Sequence, residues 1–155
     1  MKAVIDTNVV MDVLTNREPF VGSSESVLSL AAKNKLQAAI TANTITDIAY
    51  LLRKHRHDLK IVKSSLASLM ELLDVIEVSK DCCVKALNVP LDDYEDALLA
   101  ECAGKWGAEL IITRDLDDFI NSPVKAASPD DFLKKHDPSS TDGSTDDDAS
   151  SDLEE

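Results

Sequence analysis

The stretch Lys2–Leu14, K-A-V-I-D-T-N-V-V-M-D-V-L, changes its period at one residue. Ala3, Val4 and Ile5 form a short apolar run with two β-branched residues, the pattern of a buried parallel strand. Beyond Asp6, Val9, Val10, Val13 and Leu14 recur at helical spacing. A buried strand is therefore expected to stop at Asp6 and to feed a helix directly. Chains built this way favour open α/β sheets, where ligands bind outside the carboxyl ends of the strands. Asp6 stands at that edge. Taken alone it reads best as the helix N-cap, because Asp, Thr and Asn accept backbone N–H bonds there.

The rest of the chain repeats the alternation. After a break over Thr15–Pro19, Val21 to Lys33 reads as a helix, with Ser23 or Ser24 as its cap. Leu36 to Ile40 is a second strand, followed by a small polar turn, Thr41–Asn43. Thr44 to Arg53 and Leu59 to Leu73 read as helices, the latter capped by Asp58. Val75 to Val78 is a short third strand. Ser79 opens a helix over Lys80–Asn88, which Pro90 stops. Asp92 to Trp106 is a longer helix closed by Gly104 and Gly107. Leu110 to Thr113 is a fourth strand, Asp115 to Ile120 a short helical turn, and Val124 to Ala127 a weak edge strand. Ser128 caps a last helix through Leu133 and Lys135. Strands alternating with helices predict an α/β/α sandwich around a mostly parallel sheet.

Composition sets the outer bounds. At 155 residues the chain is long enough for one real core, and only 4% aromatic content means Leu, Ile, Val and Ala must build it. No apolar run is long enough to span a bilayer, and the chain opens on a strand, so a soluble cytoplasmic protein is expected. Cys82, Cys83 and Cys102 lack disulfide or zinc spacing and read as reduced, packed helix residues. The net charge of −13 is uneven: residues 137–155 hold eight acids and no base, leaving −13 + 8 = −5 for residues 1–136. That last segment cannot bury enough apolar surface to fold, so a domain over 1–136 and a disordered acidic tail over 137–155 are expected. A mildly acidic body does not advertise nucleic-acid binding. The exception is the cluster Arg53, Lys54, His55, Arg56, His57, Lys60 and Lys63. It reads either as favourable charge at a helix C-terminus or as an electrostatic footprint for RNA backbone through Arg53, Lys54, Arg56 and Lys60.

A set of carboxylates remains at strand ends and helix starts. Asp6 follows the first strand, and Asp47 lies early in the helix after the second. Asp92, Asp93 and Asp96 open the long helix; Asp115, Asp117 and Asp118 follow the fourth strand. In a parallel sheet all lie toward one edge. Carboxylates gathered there repel one another unless a cation sits between them. Oxygen donors favour a hard ion, Mg²⁺ or Mn²⁺, which suits activation of water against a phosphodiester. Each acid also has a plain reading: Asp92 and Asp93 as helix N-terminal charges, Asp115 as a cap, Asp47 as a solvated helix residue.

Four ordered stretches carry a family resemblance: V-I-D-T-N-V-V-M-D-V-L, T-I-T-D-I, D-Y-E-D-A-L-L-A-E-C-A, and G-A-E-L-I-I-T-R-D-L-D-D-F followed by S-P-D-D-F-L. Over about residues 1–135 the chain resembles the PIN domain, and most of all the VapC-type ribonucleases that act as toxins of bacterial toxin–antitoxin pairs. The resemblance implies metal-dependent endonucleolytic cleavage of RNA by a metal-activated water. Carried over by position, it puts the family's acids on Asp6, Asp47, Asp96 and Asp115. Asp6, Asp96, Asp115 and Asp118 are then metal ligands for Mg²⁺ or Mn²⁺, and Asn8, Thr113 and Asp93 support them. It further implies an antitoxin over the acid edge, with an Arg against the carboxylates, and a homodimer. His55 and His57 are read as surface or RNA-backbone residues away from the acids.

Two departures matter: Asp47 is one methylene shorter than the family's usual Glu, and the acidic tail matches nothing in the pattern. Two other readings stay open. A haloacid-dehalogenase-type phosphotransferase would want a second Asp where Asn8 stands. A PIN-like module that binds RNA or protein without cutting would tolerate a weak metal site.

Overall fold

A computed structural model describes residues 1–136; the expected acidic tail lies outside the described residues. Five strands form one all-parallel sheet in the order β3-β2-β1-β4-β5. They are β1 Lys2–Ile5, β2 Gln37–Thr41, β3 Asp74–Ile76, β4 Leu110–Ile112 and β5 Ala126–Ala127. The helices among the described residues are α1 Thr7–Leu14, α2 Val21–Ala32, α3 Ala42–Lys54, α4 Leu59–Leu72, α5 Lys80–Ala86, α6 Tyr94–Trp106 and α7 Pro129–His136. A 3₁₀ turn, Leu116–Phe119, follows β4.

Strand alternation divides the core into two layers. Ala3 and Ile5 of β1, Ala38 and Ile40 of β2 and Ile112 of β4 pack with α1 to α4 and α7. Val4, Ala39 and Ile111 point the other way, against Leu99, Ala100 and Ala103 of α6. Helix α5 joins α6 through buried Cys82, Ala86 and Cys102. The central strands are thus covered on both faces, which explains their unbroken apolar runs. All three cysteines are free, and burial pushes the Cys102 thiol up to about 12.

The helix ends follow elementary capping chemistry. Asp58 accepts from the Ile61 amide at 2.9 Å. Ser128 Oγ accepts from the Asp131 amide at 3.1 Å and donates to its carboxylate at 2.9 Å. Gly107 closes α6 at φ +80°, a left-handed position that suits glycine, whereas Gly104 lies within the helix.

Several boundaries differ from the sequence expectation. Helix α3 starts at Ala42, because Thr41 caps it in extended conformation and absorbs the expected turn. Helix α2 has no side-chain cap: Ser24 is fully buried and donates to Asp12 instead, at 3.0 Å. Helix α6 starts at Tyr94, since Asp93 takes the N-cap position, leaving Asp92 outside.

Candidate active site

Strand order reverses between β1 and β4, so the crevice at their carboxyl ends is a topological switch point. Asp6 leaves β1 there, and its amide extends the ladder by donating to the Ile112 carbonyl at 3.0 Å. Two roles of Asp6 coincide. Its Oδ1 accepts from the Thr7 amide at 2.6 Å, the capping contact expected of it. Its Oδ2 accepts from Thr113 Oγ1 at 2.7 Å and Asn8 Nδ2 at 2.9 Å.

Asn8 and Thr113 tie the two strand ends together. Asn8 Nδ2 also reaches Thr113 Oγ1 at 3.1 Å and Asp115 Oδ2 at 3.0 Å. Asn8 Oδ1 accepts from the Arg114 amide at 3.3 Å, and Thr113 Oγ1 accepts from the Asp115 amide at 3.1 Å. Asp115 holds the N-cap position of the 3₁₀ turn, but its side chain is engaged with Asn8 rather than with the amides of the turn. Thr113 is fully buried, so its hydroxyl has a fixed set of partners.

The remaining acids come from the other side of the sheet. Asp93 caps α6, accepting from the Glu95 amide at 2.7 Å and the Asp96 amide at 3.4 Å. That holds Asp96 on the first turn of α6, facing a cleft of about 400 Å³ shared with Asp6, Asp93, Glu95, Asp115 and Asp118. A neighbouring hollow of about 270 Å³ lies beyond Asp96 and Asp118 and takes in Asp92 and Asp117.

The electrostatics record this crowding. Burial, then the charges of Asp6, Asp93, Asp118 and Glu95, push Asp96 from an ordinary 3.8 up to about 7. Asp6 is raised chiefly by burial, against the lowering bonds from Thr113 and the Thr7 amide. Glu95 is raised by burial and then by Asp47.

Asp47, expected as the second acid, is half-buried on α3 and stands beside Glu95 rather than on the cleft wall. One of its oxygens, Oδ2, is buried without a hydrogen-bond partner. Arg53, Lys54, Arg56 and Lys60 are exposed around the α3–α4 turn, outside the cleft. His55 departs from the sequence reading: as the C-cap of α3 it lines the acid cleft, because α3 packs against α1 and carries its end to the same edge.

Sequence reasoning misses Glu95, Arg17 and Asp12. Glu95 lies within D-Y-E-D, where its spacing from Asp93 is the available signal. Arg17 sits in the break after α1 and reaches the cleft only through packing. Asp12 is fully buried in α1, with Oδ2 at 2.9 Å from Arg114 Nε.

The donor set is all oxygen, as a hard divalent ion requires. Asp6 spends three acceptor positions on Thr7, Thr113 and Asn8, leaving capacity on a carboxylate with about four. Among the described residues no three His, Cys, Asp or Glu side chains close around one point as a ready-made cage. The carboxylates instead line an open cleft, which fits an ion such as Mg²⁺ that retains several waters and takes few protein ligands. The raised Asp96 fits a site short of positive charge.

Fold and site together define an α/β/α domain that gathers carboxylates at the carboxyl ends of β1 and β4. The chain belongs to the PIN domain family, whose model matches residues 2–117. It is similar to Ribonuclease VapC1 of Aquifex aeolicus (strain VF5), 24% identical over 139 residues, covering 86% of this chain and 94% of that protein. In structure it is similar to VapBC2 from Rickettsia felis bound to a promoter DNA fragment, with TM-score 0.64, 19% identity, and 83% and 98% of the two chains covered. It is also similar to a toxin–antitoxin complex from Klebsiella pneumoniae, with TM-score 0.63, 21% identity, and 82% and 97% covered. No helix among the described residues is long and apolar enough to cross a membrane.

Proposed function

We propose that this protein is a divalent-metal-dependent endoribonuclease and the toxin of a toxin–antitoxin pair. The observation that carries this reading is the Asp6–Asn8–Thr113–Asp115 network facing Asp96 across one cleft. The similarity to a protein named a ribonuclease and to toxin–antitoxin complexes supports it.

Asp6, Asp96 and Asp115 would hold Mg²⁺ or Mn²⁺, with Asp118 as a further ligand and Asp93 fixing Asp96. When bound, the metal supplies Lewis-acid chemistry: it lowers the pKa of water and offsets charge on phosphoryl oxygens. Thr113 and Asn8 tie the Asp6 and Asp115 carboxylates to one another at the ends of β1 and β4. The apolar side chains of Met11 and Leu51 border the same cleft. The antitoxin is proposed to cover this acid edge with an Arg paired to the carboxylates.

A second reading, a PIN-like module that binds without cutting, is favoured by one observation: Asp47 stands off the cleft wall. Cleavage of a mixed RNA pool in Mg²⁺, Mn²⁺ or EDTA separates the two. Metal-dependent cleavage is expected, falling by at least about 100-fold in Asp6→Asn and in Asp96→Asn, as when a group stabilising transition-state charge is removed. Undiminished cleavage in both variants overturns the site. Absence of both cleavage and a Mn²⁺-induced rise in melting temperature selects the binding module.

A further inference from the structure

The cleft carries one guanidinium, Arg17, and one imidazole, His55, among its carboxylates. We infer that these two residues form a phosphate-binding wall, which holds the RNA backbone on either side of the phosphodiester presented to the acids. The inference rests on the ribonuclease reading above and assigns how that substrate is seated.

Placement is the first argument. Arg17 follows α1 and His55 caps the end of α3, two elements that share the core layer on one face of the sheet. Asp93, Glu95 and Asp96 come from α6, which packs on the opposite face. Arg17 and His55 thus line the cleft from the α1–α3 side, across from Asp93, Glu95 and Asp96 of the α6 side.

Availability is the second. Arg17 and His55 are exposed, and the ion pairs among the described residues involve neither. Both nonetheless border a cleft that also holds six carboxylates, Asp6, Asp93, Glu95, Asp96, Asp115 and Asp118.

The third argument is what a polyanion needs. A divalent ion at the acids offsets charge at one phosphate, while its neighbours along the strand still meet carboxylates. Separate cations must neutralise those phosphates, and a guanidinium does so with paired donors in a fixed fork. His55 offers a ring N–H. Met11 and Leu51 between them give an apolar floor for sugar or base. From His55 the exposed Arg53, Lys54, Arg56 and Lys60 continue the positive charge outward. The track leads away from the acids, as a strand leaving the cleft would.

The test is binding of a short, labelled, mixed-sequence single-stranded RNA by fluorescence anisotropy. Ca²⁺ serves as the metal, strand integrity is checked on a gel, and salt is varied. Wild type is compared with Arg17→Ala, Arg17→Lys and His55→Ala, with Lys80→Ala on α5, which does not line the cleft, as a charge control. Arg17→Ala is expected to weaken binding roughly 10-fold, in line with loss of a hydrogen bond to a charged group. The salt slope should fall by about 0.7 for each single-strand phosphate that a variant no longer neutralises. Arg17→Lys should recover part of the affinity, His55→Ala should show a smaller loss, and Lys80→Ala should match wild type. The Mn²⁺-induced rise in melting temperature should persist in every variant. Wild-type affinity and slope in Arg17→Ala and His55→Ala, a loss in Lys80→Ala equal to theirs, or no RNA binding by wild type overturns the inference. Loss of the Mn²⁺ effect in wild type overturns the nuclease reading instead, so the two failures are told apart.

Discussion

Thr113 Oγ1 donates to Asp6 Oδ2 at 2.7 Å, joining the ends of two strands whose residues lie 107 apart in the chain. The hydroxyl is fully buried and also accepts from Asn8 and the Asp115 amide. Thr113→Val keeps the shape and removes all three hydrogen bonds. It is expected to lower stability by about 1.5–3 kcal/mol, the range for a hydrogen bond to a charged group. It should also weaken Mn²⁺ binding, because Asp6 loses its orienting donor. Urea unfolding and a Mn²⁺ titration check the two effects; an unchanged Mn²⁺ affinity would show that Asn8 alone aims Asp6.

Asp96 sets a pH dependence of the metal-free protein. Its carboxyl titrates near 7 when folded against an ordinary 3.8. Between those values the folded state holds a proton that the unfolded state has released, so stability falls as pH rises through this window. Asp6 and Glu95 are raised as well and act in the same direction. In EDTA the melting temperature should be higher near pH 5 than near pH 8. Asp96→Asn should flatten that difference. Added Mn²⁺ should stabilise most above pH 7 and little at pH 5, where protons compete for the carboxylates. A melting temperature in EDTA that climbs from pH 5 to pH 8 contradicts this account.

Buried Asp12 and half-buried Arg114 pair beside the segment that presents Asp115. Arg114 Nε lies 2.9 Å from Asp12 Oδ2, and the guanidinium stacks on the Phe20 ring at 4.2 Å. Ser24 donates to the same Asp12 oxygen at 3.0 Å, whereas Asp12 Oδ1 has no partner. Asp12→Ala leaves the half-buried Arg114 without its ion-pair partner and should cost about 1–3 kcal/mol by urea unfolding. A cost below about 1 kcal/mol would mean that Arg114 swings to solvent without penalty.

Asp47 and Glu95 act on each other before they act on any metal. Asp47→Asn removes the charge that is the second cause of the rise in Glu95. The Glu95 carboxyl, followed by NMR, should then titrate at lower pH. Mn²⁺ affinity should change far less than in Asp96→Asn, since Asp47 stands off the cleft wall. An equal loss in the two variants would place Asp47 among the ligands.

Much of this arrangement is legible in the chain itself. The apolar runs ending in Asp6 and Thr113 mark β1 and β4, because buried strands leave few polar residues before the sheet edge. The Asp6–Asp115 neighbourhood follows once those strands are parallel. Glu95, Arg17 and His55 stay hidden for a common reason: their positions depend on how α1, α3 and α6 pack, which helical periodicity does not encode. Asp12 stays hidden because a buried acid inside V-V-M-D-V-L declares itself only when its partner arrives from a distant loop. The capping reading of Asp6 is correct as far as it goes, and Asp93, read as a helix N-terminal charge, proves to be the cap of α6. A cap fixes a carboxylate's position, and the same fixed position can serve a site.

The span between Asp6 and Thr113 has a consequence for synthesis. On the ribosome Asp6 emerges with Thr7 and Asn8, whereas Thr113, the hydroxyl donor to its carboxylate, emerges more than a hundred codons later. A growing or prematurely ended chain that lacks β4 carries the leading acid of the cleft without its counterpart. Whatever chemistry needs the ends of both β1 and β4 is withheld from fragments that stop before Asp115.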